Sequence, residues 1–138
     1  MFGGGQQQKA RFNDVFKLEF IKPQTKPLTK STKNSLYIEK VELSESTLVP
    51  SPRTYHASCL LSKYMVTVGG EANSDLKDLW CFDLEGRRWL KPEVDFSEYF
   101  TPKRFHSVNT ITPTKIVSFG GCHSEYQHMN EMHIFDMA

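Results

Sequence analysis

One phrase is written three times along this chain. Asn13-Asp14-Val15-Phe16-Lys17-Leu18-Glu19-Phe20 returns as Lys77-Asp78-Leu79-Trp80-Cys81-Phe82-Asp83-Leu84 and again as Asn130-Glu131-Met132-His133-Ile134-Phe135-Asp136-Met137. Each copy follows a glycine cluster, Gly3-Gly4-Gly5, Gly69-Gly70 or Gly120-Gly121, by a similar interval. Landmarks that keep their order and approximate spacing argue for stacked structural units, because internal periods of this length belong to propellers and solenoids.

The complete unit runs from about Pro50 to Val94 and reads as four short strands. Tyr55 to Leu61 mixes apolar and small residues and stops at Ser62-Lys63. Tyr64-Met65-Val66-Thr67-Val68 is β-branched and aromatic, and Gly69-Gly70 ends it. From Leu79 onward the side chains alternate, with Trp80 and Phe82 on one face and Leu79, Cys81 and Asp83 on the other. Glu85-Gly86 signals a tight turn into a last strand, Arg87 to Leu90, that carries Trp89. Four such strands make a small antiparallel sheet with two faces to cover. Stacking like sheets covers those faces, so the expected fold class is all-β, built from four-stranded blades.

Two partial units flank this one. A third copy starts at Pro102-Lys103-Arg104-Phe105-His106-Ser107, parallel to Pro52-Arg53-Thr54-Tyr55-His56-Ala57, and runs through Lys115 to Gly121 without reaching a fourth strand. The first copy keeps only Met1-Phe2 ahead of its glycines, and its outer strand is expected at Leu36 to Leu43, with Tyr37 standing where Trp89 stands in the second. The expected division is 1–49, with an inserted basic loop at 22–34, then 50–101, then 102–138.

These residues resemble the kelch repeat, whose blade joins an Arg and a His near the first strand, a Gly-Gly doublet, an aromatic-plus-Asp strand and a late Trp. The second unit matches at Arg53, His56, Gly69, Gly70, Phe82, Asp83 and Trp89, and the third at Arg104, His106, Gly120, Gly121, Phe135 and Asp136. Glu19 in place of Asp and Tyr37 in place of Trp are departures in the first copy. The resemblance implies a kelch-type β-propeller with one complete and two partial blades.

The matching positions carry structural chemistry. Gly-Gly permits φ > 0 and close backbone approach, and Trp89 offers a large apolar plate to a neighbouring sheet. Asp83 is placed to accept from the amides of the following turn, and Arg53 to pair with a carboxylate of the adjacent blade.

Other constellations are weaker. Cys122, His123, His128 and His133 are metal-ligand types close in sequence, but their intervals are not those of a zinc site and His133 falls inside a strand, so a polar loop is the expected reading and no metal or other cofactor is expected. Ser107 beside His106, and Ser58 near His56, imitate a nucleophile and its base. Neighbours on a strand point to opposite faces, and no Gly-x-Ser-x-Gly elbow is present. The glycine clusters lack a Walker Lys-Ser/Thr. Cys59, Cys81 and Cys122 lack paired spacing and read as small buried hydrophobes.

A net charge of +1 supplies no general field for nucleic acid or anionic membrane. The first residues lack an apolar signal region, and no stretch approaches the ~20 apolar residues of a membrane span, so a cytoplasmic location is expected. Lys22, Lys26, Lys30 and Lys33 sit in a segment without strand character, expected to be a solvated loop. Val94 to Thr101 carries three rings, expected to pack beneath the blades.

Kelch-like propellers mostly bind proteins through inter-strand loops, and the resemblance implies a non-catalytic interaction module of that kind. The loops after the glycine clusters are the expected contacts: Gln6 to Lys9, Glu71 to Asp75, and His123 to His128, with Asn73, Asp75, Glu125 and Tyr126 as candidate partner-binding residues. A protein partner is expected, with self-association or pairing with further blades as another route to cover open sheet edges. The alternatives are a fragment of a propeller enzyme of oxidase or hydrolase type and a propeller remnant that does not fold alone.

Overall fold

A computed structural model describes residues 1–5, 11–21, 35–44, 48–96, 100–124 and 127–138, and among these it holds strands and no helix. The Gln6 to Lys9 turn, the basic loop 22–34, Tyr99, Glu125 and Tyr126 lie outside the described residues.

Each copy of the repeated phrase forms the strand around which its own antiparallel sheet is built. The first sheet pairs β1 (Phe16–Ile21) with β2 (Ser35–Lys40), and Phe2 bridges to Val15. The second runs in sequence order through β3 (Ala57–Leu61), β4 (Tyr64–Val68), β5 (Leu79–Asp83) and β6 (Arg88–Leu90). The third sheet holds β7 (Ser107–Thr112), β8 (Lys115–Phe119) and β11 (Met132–Asp136). Between the last two lies a short ribbon, β9 (Cys122–His123) with β10 (Gln127–His128), where the sequence indicated only a loop. The observed architecture is that of one four-stranded kelch-type blade flanked by two partial ones.

The alternation of β5 decides how the sheets meet. Trp80 and Phe82 join Phe2, Val15 and Trp89 in one buried cluster. Leu79 and Cys81, on the other face, join Val66, Val68, Val108, Ile116 and Phe135 in a second. All five residues of β5 are therefore buried. Trp89 stacks edge-on against Phe2 of the first sheet, ring centroids 4.6 Å apart, so the late Trp does act as a plate between sheets. In the linker before the third sheet, Phe96 and Phe100 turn their rings onto Phe135 at 6.0 and 5.3 Å; Phe100 is buried in the core, and Phe96 packs half-buried against it.

One local expectation changes. The register pairs Phe82 with Trp89 and Leu18 with Ile38. Ile38 thus takes the place of Trp89 in the first sheet, while Tyr37, opposite Glu19, takes that of Arg88; a slip of one residue moves a side chain to the other face. In the turn after β5 the left-handed residue is Arg87, at φ +50°, and not Gly86. Gly86 is needed for space, since a Cβ there would lie 2.9 Å from Asp83 Oδ2. The Asp83 carboxylate accepts from the amides of Gly86 at 3.0 Å and Glu85 at 3.1 Å, and the Gly86 bond is the main reason its pKa lies below the ordinary carboxylate value.

Candidate functional site: the glycine-doublet end

The glycine doublets follow the Phe2 bridge of the first sheet and the ends of β4 and β8 in the others, and they gather the chemically active side chains at one end of the molecule. All six doublet glycines have positive φ, +55° and +96° at Gly69 and Gly70. Gly3, Gly69 and Gly120 donate to the carbonyls of Asp14, Asp78 and Glu131 in their own sheets, at 3.3, 3.0 and 3.0 Å. Gly4 and Gly70 donate across to the next sheet, to the carbonyls of Arg53 at 3.0 Å and Lys103 at 2.9 Å. The doublet is thus a stitch between sheets.

Arg53 is fully buried beneath it. Its guanidinium donates to both oxygens of Asp78, at 2.7 and 2.8 Å, and to the Gly69 carbonyl at 2.9 Å; Trp80 Nε1 adds a bond to Asp78 Oδ2 at 2.9 Å. This corrects the expected partner, since Asp78 belongs to the same sheet as Arg53. A planar fork held on both oxygens suits a buried position because it satisfies several donors at once. In the third sheet the equivalent position is Lys103, not Arg104: Lys103 is also fully buried and faces Glu131, the counterpart of Asp78, at 3.9 Å. An ammonium cannot fork, and Lys103 Nζ makes no hydrogen bond among the described residues. Burial pushes its pKa down, with Glu131 opposing.

Arg104 does the work expected of Arg53. It pairs with Glu71 and, at 3.5 Å, with Asp75, both in the preceding sheet. Glu71 also takes Arg11 of the first sheet, so one carboxylate joins all three sheets. Asp75 accepts from the Ser124 amide at 2.7 Å, and its side chain is only 7% exposed. As a partner contact Asp75 is therefore corrected: it sits inside the junction, whereas Asn73, at the tip of the same turn, is exposed.

His56 and His106 stand over the doublets of the preceding sheets. A Cβ on Gly3 would meet His56 Cε1 at 2.8 Å, and one on Gly69 would meet His106 Cε1 at 3.1 Å. His106 is pushed down to about 4, first by burial and then by the Lys103 ammonium, with the Val68 carbonyl opposing; burial and Arg53 lower His56 as well. A histidine with a depressed folded pKa contributes stability that is complete above its unfolded pKa of about 6.5 and is lost as pH falls through the folded value. Stability should fall by about 3 kcal/mol between pH 6.5 and 4 for His106 alone. Urea midpoints measured across that window test this, and His106→Asn should flatten the slope; an unchanged slope would contradict the assignment.

Next to each histidine stands an exposed aromatic residue in the left-handed region, Tyr55 at φ +57° and Phe105 at φ +58°. Their rings lie 4.2 Å apart, and the Phe105 amide donates to the Tyr55 carbonyl at 3.0 Å. Thr54 and Glu71 exchange backbone bonds of 3.0 and 2.8 Å, which sets Tyr55 beside the turn that carries Asn73. Sequence reasoning passed over this pair. The signal was present in Pro52-Arg53-Thr54-Tyr55-His56 and Pro102-Lys103-Arg104-Phe105-His106, which repeat an aromatic ahead of the histidine.

The other candidate residues do not converge. Ser58 bonds Thr67 and Ser107 bonds the Phe119 carbonyl, so neither hydroxyl is held by a histidine. Cys122 is buried, His123 Nδ1 lies 2.9 Å from the Pro102 carbonyl, and His133 Nε2 lies 3.1 Å from Glu131. No group of three or more His, Cys, Asp or Glu is poised for a metal among the described residues. Nor is any helix among them long and apolar enough to cross a membrane. At the end opposite the doublets an apolar groove of about 530 Å3 runs between Leu61, Tyr64, Cys81, Leu90, Pro113 and Met137.

The family model described as the KLHDC2/KLHL20/DRC7 Kelch-repeats domain matches residues 1–138. The chain belongs to the kelch-repeat family. Among curated proteins it is similar to the tRNA wybutosine-synthesizing protein 2/3/4 of Arabidopsis thaliana, 30% identical over 89 residues, covering 63% of this chain and 9% of that protein. It is likewise similar to human Host cell factor 2, 35% identical over 80 residues, covering 54% of this chain and 10% of that one. The chain thus spans about a tenth of the length of these relatives. Kelch-repeat domains generally serve as protein-interaction modules. In this one, Arg53, Gly69, Gly70, Phe82, Asp83 and Trp89 lie in the fold's interior or its junctions, and Tyr55, Phe105 and Asn73 are among the described residues that the doublet end exposes to solvent.

Proposed function

We propose that this kelch chain is a non-catalytic protein-binding module whose contact surface is the glycine-doublet end, centred on Tyr55 and Phe105. The observation that carries the reading is strain combined with exposure. A bulky residue at φ > 0 is an outlier that persists only where the surroundings hold it, and such residues cluster at functional sites. Here two of them occur at repeat-equivalent positions, stacked and facing solvent, and aromatic residues held in fixed positions are the side chains that dominate protein interfaces. Asn73 extends this surface, and Glu125 and Tyr126, candidate contacts from the sequence alone, belong to the proposal as well.

The test uses glycine, which suits the backbone and deletes the ring. Selecting peptides that bind the chain, then repeating the measurement with Tyr55→Gly/Phe105→Gly, should lose binding by tenfold or more. The same variant should melt close to the parent, because relief of left-handed strain, about 1 kcal/mol per site, offsets the lost stack. Undiminished binding would move the contact surface elsewhere.

The first relative's name describes an activity, tRNA wybutosine synthesis, that belongs to a protein about ten times the matched length. We assign no catalytic role to this chain: at the doublet end Arg11 and Arg104 are paired with Glu71, and Arg53 with Asp78.

A further inference from the structure

The two junctions inside the molecule have the same polarity. In each, one sheet presents a trailing face and the next a leading face. Leu79 and Cys81 of the second sheet trail, and meet Ile116 and Phe135 of the third. Phe2 and Val15 of the first sheet trail, and meet Trp80, Phe82 and Trp89 of the second. Two faces of this kind are left over. On the third sheet, Met132 and Ile134 occupy the places of Leu79 and Cys81 but are 65% and 58% exposed, against 1% and 6%. Phe119, in the place of Val68, is exposed as well. On the first sheet, Leu18 and Ile38 occupy the places of Phe82 and Trp89, and both are exposed.

We propose that the trailing face of the third sheet binds the leading face of the first sheet in a second copy of this chain, continuing head to tail the junction already built twice within it. Each copy carries both halves of that junction: Phe119, Met132 and Ile134 on one side, Leu18 and Ile38 on the other. Contiguous exposed apolar surface of this kind marks an interaction site. A contact between unlike faces grows into a ring if the rotation closes and into an open chain if it does not. The proposal is independent of the doublet-end reading, since none of its residues takes part there.

Complementation tests it. Ile134→Lys blocks the trailing face and Leu18→Lys the leading face; both side chains are exposed, and circular dichroism melts check that each variant stays folded. Should either unfold, Met132→Glu or Ile38→Glu replaces it. By sedimentation velocity the full chain should associate, each variant alone should be monomeric, and a 1:1 mixture should form a dimer and nothing larger, because one intact half of each kind remains. A monomeric parent chain overturns the proposal and leaves these faces to a different protein or to further sequence. Association that survives Leu18→Lys but not Ile134→Lys overturns it in favour of like faces pairing, and a mixture that stays monomeric overturns it outright.

Discussion

Gly70→Ala is expected to destabilise the chain by on the order of 3 kcal/mol or more, enough to abolish a cooperative melt in a domain of marginal stability. The new Cβ would lie 2.7 Å from the Thr54 carbonyl and 2.8 Å from His56 Cβ, at φ +96°. Backbone lies on one side and a packed histidine on the other, so neither neighbour can yield cheaply. Gly120 is the internal control. It has φ +67°, yet the nearest atom to a Cβ there is Met129 O at 3.5 Å, so Gly120→Ala should cost only the left-handed term, about 1 to 2 kcal/mol. Urea titration of both variants separates steric from conformational demand. Equal losses would mean that the close approach of the Thr54-to-His56 backbone does not set the requirement at Gly70.

Asp78→Ala should be comparably damaging, by about 3 to 5 kcal/mol, because it strands a fully buried guanidinium. It also removes the acceptor for Trp80 Nε1. Replacing both partners, as in Arg53→Met/Asp78→Leu, should restore much of that loss, since the greater cost lies in the uncompensated charge and not in the missing bond. Chemical denaturation of the single and double variants decides the matter. If the double variant were as unstable as Asp78→Ala, the ion pair would have a specific role in orienting the Gly69 carbonyl.

Much of the fold was legible because the repeat announces itself at spaced landmarks. Strand identity, the β5 alternation, the Asp83 turn and the plate-like role of Trp89 follow from local chemistry, which a one-dimensional pattern records. Register does not follow in the same way. A shift of one residue between β1 and β2 exchanged Tyr37 for Ile38, and the sequence holds nothing local that distinguishes them. The same limit hid the identity of the buried cation. Lys103 and Arg104 are adjacent, and only the match of Glu131 to Asp78 through the sheet tells which one turns inward. Asp75 looked like a loop-tip contact for a related reason, because burial at a junction depends on the neighbouring sheet and on Arg104, a residue far away in the chain. Tyr55 and Phe105 were missed because left-handed φ at an aromatic residue is a conformational fact that no composition reveals.

Among the described residues the middle sheet alone of the three is covered on both faces by its neighbours, and Glu71 ties it to each of them. In an array where contacts run only between nearest neighbours, loss of either end unit exposes half of what the centre had hidden. Fraying should therefore proceed from the outer sheets inward, with the amides of β5 the last to exchange with deuterated solvent.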